Sequence, residues 1–570
     1  MEGDEIIVTS GTYYENIEFG GKNIILRSTD PLDEDVVTST VIDGQGLLPV
    51  VIFSGDEGTT SVVSGFTIRN GLGIMYLFDL GSEIVVEYWG GGIYGNSTQA
   101  QIDHCHIREN QAHTGMSVYY AGSVLHNVIE DNINLPDTGS VSFGSASDIR
   151  ACVGEIAYNR IENDRQGKGI SNSAYYIHHN YITRCEVGIG GFGVVERNIV
   201  IDNDSIGISG IEDYQEISGI ITGNIIWDCT YRGIWSSDAP IYNNIICFNN
   251  LNGDSFYGGG IDGCDGLISH NLVAFNYASL LGGGIFDCQG EITNNILWGN
   301  IADLNGSQIT GTTTPTYCLI EGTTLGDDTN STATPLFADA WALDFRLLPG
   351  SPGIDHGTSA GLTLDFLSNA RPQDGDGLGA GSTGDGLDFD IGPYEAATDY
   401  RVDAIRSYIL GQTTTTDSLL GSPWPAEWPE EWIAELQAIE LPTTAVAMLT
   451  SYTLQTGGVT TTSTLDINAD GRLDAADIVL AVTTRSSSSS PSSEKKPSSV
   501  ISRTASSANQ SYITRWHPPA LKPMPERRPF PIEPYRERYG KYAEAIWKLE
   551  NTKHPGKGPI IVDLREYENQ

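Results

Sequence analysis

One short pattern, Asn-x-(Ile/Val)-x-x-Asn, recurs along the first half of the chain and restricts its fold more than any other feature. It reads Asn127-Val-Ile-Glu-Asp-Asn132, Asn159-Arg-Ile-Glu-Asn-Asp164, Asn180-Tyr-Ile-Thr-Arg-Cys185 and Asn198-Ile-Val-Ile-Asp-Asn203. It continues as Asn224-Ile-Ile-Trp-Asp-Cys229, Asn244-Ile-Ile-Cys-Phe-Asn249, Asn271-Leu-Val-Ala-Phe-Asn276 and Asn295-Ile-Leu-Trp-Gly-Asn300. Cys105-His-Ile-Arg-Glu-Asn110 and Cys318-Leu-Ile-Glu-Gly322 mark its ends. A second motif, Gly-Ile, stands at Ile93, Ile170, Ile189, Ile208, Ile234, Ile261 and Ile285, and from Ile170, Ile234, Ile261 and Ile285 the next repeat Asn follows after ten residues.

Self-similarity at a fixed period is the signature of a solenoid. Short runs with β-branched centres between Gly, Asn and Asp turns do not fit a 3.6-residue period, so the repeat reads as coils of short strands and not as helices. Coils of roughly 18–27 residues would stack in parallel about 4.8 Å apart, each strand pairing with its counterparts above and below. Inward Ile, Val and Leu would form apolar rows, and an Asn at one corner of each coil would bond its neighbours along the stack. Glycines would permit tight corners. The expected fold is all-β, a right-handed parallel β-helix over residues 1–322.

The eight cysteines all lie between Cys105 and Cys318, without CxxC metal spacing. Cys264 and Cys288 each stand three residues after a motif Ile on neighbouring coils, within bridging range of each other. They are the one plausible disulfide, and the remaining thiols are expected to pack as small buried hydrophobes. Cys185 and Cys229 share a repeat position, but the Asn203 coil separates them.

Charge excludes some partners. The chain of 570 residues carries 31 basic and 73 acidic side chains. Residues 486–570 hold 14 basic and 9 acidic groups, which leaves 17 against 64 in the rest. A body so acidic does not bind nucleic acid by phosphate neutralisation, and it repels polyanions unless a divalent cation intervenes. No apolar run reaches the ~18–20 residues of a membrane span. The chain opens on a strand-like Glu5-Ile6-Ile7-Val8 with no signal peptide, and a leader is expected to have been removed from it. The expected location is extracellular or at the cell surface.

Several segments extend the reading. Gly11-Thr-Tyr-Tyr-Glu-Asn-Ile17, Val41-Ile-Asp-Gly44 and Gly65-Phe-Thr-Ile-Arg-Asn70 resemble the opening coils of secreted bacterial pectin-lyase-like β-helix proteins. Pro335-Leu-Phe337, Asp344-Phe-Arg-Leu-Leu-Pro-Gly-Ser-Pro352, Arg371-Pro372 and Asp390-Ile-Gly-Pro-Tyr-Glu395 resemble the closing segment of that group, whose members are often called choice-of-anchor proteins. The resemblance spans about residues 1–396 and implies fold and secretion more than any activity.

Residues 323–399 therefore read as an acidic, Gly-rich closing segment. Its Asp374, Asp376, Asp385, Asp388 and Asp390 suit a hard cation such as Ca²⁺, or simply form a solvated acidic turn. Residues 400–484 read as a small helical module. Within it, Asp466, Asn468, Asp470, the Arg472 carbonyl, Asp474 and Asp477 fall at the oxygen-donor positions of a calcium loop, with Gly471 at the sharp turn. Asp in place of the usual final Glu resembles dockerin modules, which implies a cohesin-like partner. Only one loop is present, however, and Ala475-Ala476 replace the hydroxyl residues that often select that partner. A degenerate first half is read at Asp403–Leu410. Residues 485–511 form a Ser-rich linker and 512–570 a basic, Pro-rich tail.

Chemistry is less legible. The acid and His motifs of polygalacturonases are absent. Lys168 and Arg232, each two residues before a motif Ile, are candidate lyase bases but do not form an obvious pair. Glu212, Asp238 and Asp265 each follow a motif Ile by four residues, so Asp238 and Asp265 would stack one coil apart, near the ~5–5.5 Å of a retaining glycosidase pair. Turn chemistry or a cation row are the other readings. Trp227 and Trp298 share a repeat position that holds Glu130 and Thr183 in other coils, which suggests an outward face for stacking on sugars. Trp235, with Tyr231, Tyr257 and Phe286, would extend it. His104, His106, His178 and His179 read as structural. The expectation is a β-helix protein that binds polysaccharide or another surface component. A polysaccharide lyase or glycoside hydrolase and a ligand-free scaffold or adhesin are the alternatives.

Overall fold

The computed structural model describes residues 3–79, 84–136, 146–162, 167–173, 176–212, 218–348, 350–373, 389–396, 422–438 and 441–456. The calcium loop Asp466–Asp477, the acidic positions Asp374, Asp376, Asp385 and Asp388, the helix-like Asp403–Leu410, the Ser-rich linker and the basic tail lie outside these residues.

Short strands join three parallel sheets of 12, 12 and 13 strands. Sheet I collects the strands that carry the Gly-Ile motif, sheet III those opened by the repeat Asn, and sheet II the short strands between them. The architecture is that of an all-β parallel β-helix. The described residues divide into two compact units, 3–155 with 167–173, and 156–162 with 176–456. No helix among them is long and apolar enough to cross a membrane.

In the second unit one coil runs from Arg232–Trp235 in sheet I to Ile241–Tyr242 in sheet II and Ile245–Cys247 in sheet III. Its inward residues Ile234, Ile241 and Ile246 are fully buried. Each begins a row that the strand register continues. Ile189, Ile208, Ile234, Ile261, Ile285 and Ile309 stack along sheet I. Ile177, Val195, Ile221, Ile241, Ile268 and Ile292 stack along sheet II. The row in sheet III runs from Ile161 through Ile182, Val200, Ile226, Ile246, Val273 and Leu297 to Ile320. A buried aliphatic side chain contributes about 1.5–3 kcal/mol, so these rows carry much of the stability of the stack.

The corners are held by asparagine. Asn159, Asn180, Asn198, Asn224, Asn244, Asn271 and Asn295 are buried one above another. Each backbone N–H and each Nδ2 donates to the Oδ1 of the next Asn at 2.8–3.0 Å from Asn159 as far as Asn271. The residue before the Asn takes a left-handed backbone, as at His179, Arg197, Asn243, His270 and Asn294. That conformation costs a non-glycine residue roughly 1–2 kcal/mol, which the satisfied ladder offsets. A second ladder joins Asn249, Asn276 and Asn300 at the next corner.

The glycines serve two purposes. Gly282 adopts φ +67°, whereas a Cβ on Gly284 would lie 2.3 Å from the Gln308 carbonyl oxygen. The last glycine of the triplet is thus demanded by the close approach of the next coil, not by a left-handed turn.

The first unit repeats the coil. Val51, Ile93, Val118, Ile149 and Ile170 stack in sheet I. An antiparallel hairpin, Ile74–Asp79 with Ile84–Trp89, is inserted between coils. Its Ile74 and Tyr76 join Leu48, Tyr94 and Tyr119 in one buried cluster, so here the outward residues of sheet I are covered.

In the second unit the closing residues cover the outer face of sheet III. An antiparallel pair, Phe337–Asp339 with Asp344–Leu347, and two helices, Glu430–Gln437 and Thr443–Thr456, lie on it. Trp424, Trp428, Trp432, Leu436, Leu449 and Tyr452 share one apolar cluster with Trp227, Phe248, Phe275 and Trp298. Both described helices within residues 400–484, the segment expected as a small helical module, share that apolar cluster on the outer face of sheet III.

Candidate carbohydrate-binding face

The outward position of sheet I is the residue after the motif Ile. Strand register places Gly190, Ser209, Trp235, Asp262, Phe286 and Thr310 there on successive coils of the second unit. Gly, Ser and Thr leave the ends of this row flat, and its centre carries the larger side chains. Trp235 is 42% exposed, and Tyr231 and Tyr257 are nearly as open. The Tyr257 ring stacks on Phe286, with centroids 4.8 Å apart and planes 18° from parallel.

Arg232 begins the same strand as Trp235 and ion-pairs with Asp262 of the next coil. Its guanidinium also lies 5.7 Å from the Trp235 ring centroid, which holds the indole by a cation–π contact. Burial pushes the Asp262 carboxyl above its ordinary value. Arg232 opposes that rise and the nearby Asp287 adds to it. Asp262 is the functional candidate that motif reading missed. The signal was its register, since it stands at the same offset from its motif Ile as Trp235 and Phe286.

The other expected residues fall elsewhere. Trp227 and Trp298 do lie on an outer face, but they are 1% and 2% exposed. The expectation of exposed stacking rings at these two positions is corrected, because the closing residues seal that face. Trp227 packs on Phe248 with ring centroids 4.4 Å apart. Trp298 donates its Nε1–H to Gln455 at 3.3 Å and lines a cleft of about 750 Å³ with Glu321, Gln308, Met448 and Tyr452. There Glu321 accepts from Gly299, Gln308 and Gln455, so its oxygens are already used.

Glu212, Asp238 and Asp265 are exposed on neighbouring coils. Asp265 Oδ1 accepts the Gln289 N–H at 2.9 Å, and Ser237 Oγ donates to the Ile211 carbonyl. Both bonds run between neighbouring coils, and neither joins two of these carboxylates. Lys168 belongs to the first unit and Arg232 to the second, and Arg232 is already paired.

Asp390 is not available to a cation. It is fully buried, and its two oxygens accept the N–H groups of Asp355 and Ala396 at 2.8 and 2.6 Å. Beside it the buried pair Arg371–Glu395, 2.6 Å apart, anchors the closing segment. Burial, the largest influence, raises the Glu395 carboxyl to about 7 although Arg371 opposes it.

All eight cysteines are buried free thiols. Cys264 and Cys288 are neighbours as expected, yet the Cys264 N–H donates to the Cys288 sulfur at 3.3 Å and no bridge joins them. Stacked corners align side chains along the axis, but a disulfide also requires the two Cβ vectors to converge.

Family models, curated proteins and solved structures were all compared with this chain, and none matches it.

Proposed function

We propose that this chain is a secreted or cell-surface β-helix protein that binds a polysaccharide along the outer face of sheet I. The observation that carries the reading is the row Trp235, Asp262, Phe286, flanked by Tyr257 and Arg232. Trp235 and Phe286 stand two coils apart, about 10 Å, which is the span of a disaccharide. Trp235 and Tyr257 are exposed and can stack on sugar faces, Phe286 is half-buried against Tyr257, and Arg232, paired with the buried Asp262, offers hydrogen-bond donors to hydroxyl groups. The acidic body favours neutral polymers over polyanions. The loop Asp466–Asp477 would bind Ca²⁺ and stiffen the C-terminal part of the chain, by its oxygen spacing alone. A cohesin-like partner is a weaker extension of the same resemblance.

The raised carboxyl of Asp262, beside an arginine on a ring-lined face, favours glycoside hydrolysis or lyase chemistry as the second reading. One experiment separates the two. Purified protein is incubated with neutral and anionic polysaccharides, with and without Ca²⁺, and both binding and new reducing ends or unsaturated products are measured. Binding to a neutral polymer that weakens at least tenfold in Trp235→Ala supports the proposal. Product lost in Asp262→Asn would establish the enzyme, and neither binding nor product would leave only a scaffold.

A further inference from the structure

We infer that the first unit carries a divalent transition-metal site formed by Asp103, His104 and His126. The strands Gln101–Asp103 and Ser123–Leu125 are neighbours in sheet II, with Asp103 opposite Leu125. His104 and His126 follow these strands at the same corner of successive coils, both with left-handed backbone, φ 48° and 55°. The asparagine device fixes that corner. Cys105 N–H donates to Asn127 Oδ1 at 2.8 Å, and Asn127 Nδ2 donates to the carbonyls of Ile102 and Leu125. The two imidazoles are thereby stacked, with centroids 4.6 Å apart and planes 15° from parallel.

Both rings turn Nδ1 toward one carboxylate oxygen. Asp103 Oδ1 lies 2.9 Å from His104 Nδ1 and 3.2 Å from His126 Nδ1, and the three atoms lie within 4.8 Å of one another. His126 Nδ1 shares a hydrogen bond with Asp103 Oδ1, and the buried His104 Nδ1 pairs with the same oxygen. Two imidazole nitrogens that converge on one carboxylate oxygen bring three donors together, and an ion bound there would take the place of the proton they share. Asp103 Oδ2 is oriented in turn by Ser64 Oγ at 3.5 Å, as outer partners orient metal-bound carboxylates.

The donor set is two imidazole nitrogens and one carboxylate oxygen, which suits Zn²⁺ and its neighbours in the first transition row better than Ca²⁺. His126, 43% exposed at its side chain, leaves the fourth position open to water. His106 does not take part, since its Nε2 lies 2.7 Å from Glu130 on sheet III. The stack supplies what the sequence conceals, because two histidines 22 positions apart become neighbours only when their coils lie in register.

The test uses the full chain, stripped with chelator and held in excess Ca²⁺ to fill oxygen-only loops. Titration with Co²⁺ should give the visible absorption of a low-coordinate nitrogen-ligated ion, saturating at one equivalent and abolished by Zn²⁺. His126→Ala, an exposed change that leaves the coil intact by circular dichroism, should weaken Co²⁺ binding at least tenfold. Asp103→Asn should do the same. If Asp103→Asn does not fold, His126→Ala decides alone. No absorption in the unaltered chain, or an unchanged titration in His126→Ala, overturns the inference.

Discussion

Glu57 shows how a single side chain is committed to the coil geometry. It is 2% exposed. Its Oε1 accepts the N–H groups of Gly21 and Ser54 at 2.8 and 3.0 Å, and its Oε2 accepts that of Gly55 at 2.9 Å. Burial alone would raise this carboxyl, but the backbone donors of Ser54, Gly55 and Gly21 together hold it below its ordinary 4.5. The unfolded chain therefore takes up a proton here before the folded one does. The stabilisation is complete above pH about 4.5 and is lost as pH falls through the depressed folded value. Glu57→Gln sets an amide NH₂ against a backbone N–H and should cost about 1–3 kcal/mol at neutral pH. Denaturant titrations across pH 3–7 should also show a flatter acid limb in the variant, and an unchanged slope would refute the assignment.

The Asn-capped corner is the element on which the fold depends most. Asn244 accepts from the N–H and Nδ2 of Asn224 and donates to Ile221 O and Asn271 Oδ1, all within 3.0 Å and all buried. Asn244→Ala removes these four bonds; the buried Asn224 N–H loses its acceptor, while Asn271 Oδ1 keeps the backbone N–H of residue 244 and Asn224 Nδ2 keeps the Val195 and Thr222 carbonyls, and a loss of about 2–4 kcal/mol is expected in equilibrium unfolding. The reverse experiment is available where a ladder is broken. Cys229 occupies an Asn position, so Asn203 Nδ2, buried beneath it, meets a thiol sulfur in place of an amide oxygen. Cys229→Asn should supply the missing Oδ1 and raise stability by about 0.5–1.5 kcal/mol, read as a higher melting temperature. A variant less stable than the parent would mean that the thiol is packed too tightly to be replaced.

For the whole second unit, the decisive feature is that one outer face is apolar and covered. Tyr181, Ile201, Trp227, Phe248, Phe275 and Trp298 would be open to solvent without the residues that lie on them. Trp432 stands over Tyr181 with ring centroids 5.6 Å apart, and Arg160 reaches Glu435 at 2.8 Å. Trp432→Ala should cost about 3–5 kcal/mol. A chain ending at Ala396 should bind a dye that fluoresces on apolar surfaces and should self-associate, because so large an exposed patch is not tolerated in a monomer. A shortened chain that stayed monomeric and dye-free would show that the helices are an accessory and not a lid on the core.

What the sequence determined by itself was everything that repeats. The inward rows and the Asn corners are set by residues within one coil, and stacking turns equal offsets into contacts. Ile234, Ile261 and Ile285 could therefore be placed in register from spacing alone. What only the tertiary structure decided is which outward residues meet a partner. Glu130 and Thr183 at the same repeat position point to exposure for Trp227 and Trp298, yet residues 422–456, far along the chain, help to bury them. Arg232 and Asp262, like Asp103 and His126, are joined by register between different coils and carry no motif of their own. Periodicity specifies the direction in which a side chain points. The presence of another part of the chain in that direction depends on contacts that do not repeat, and no offset within a coil encodes them.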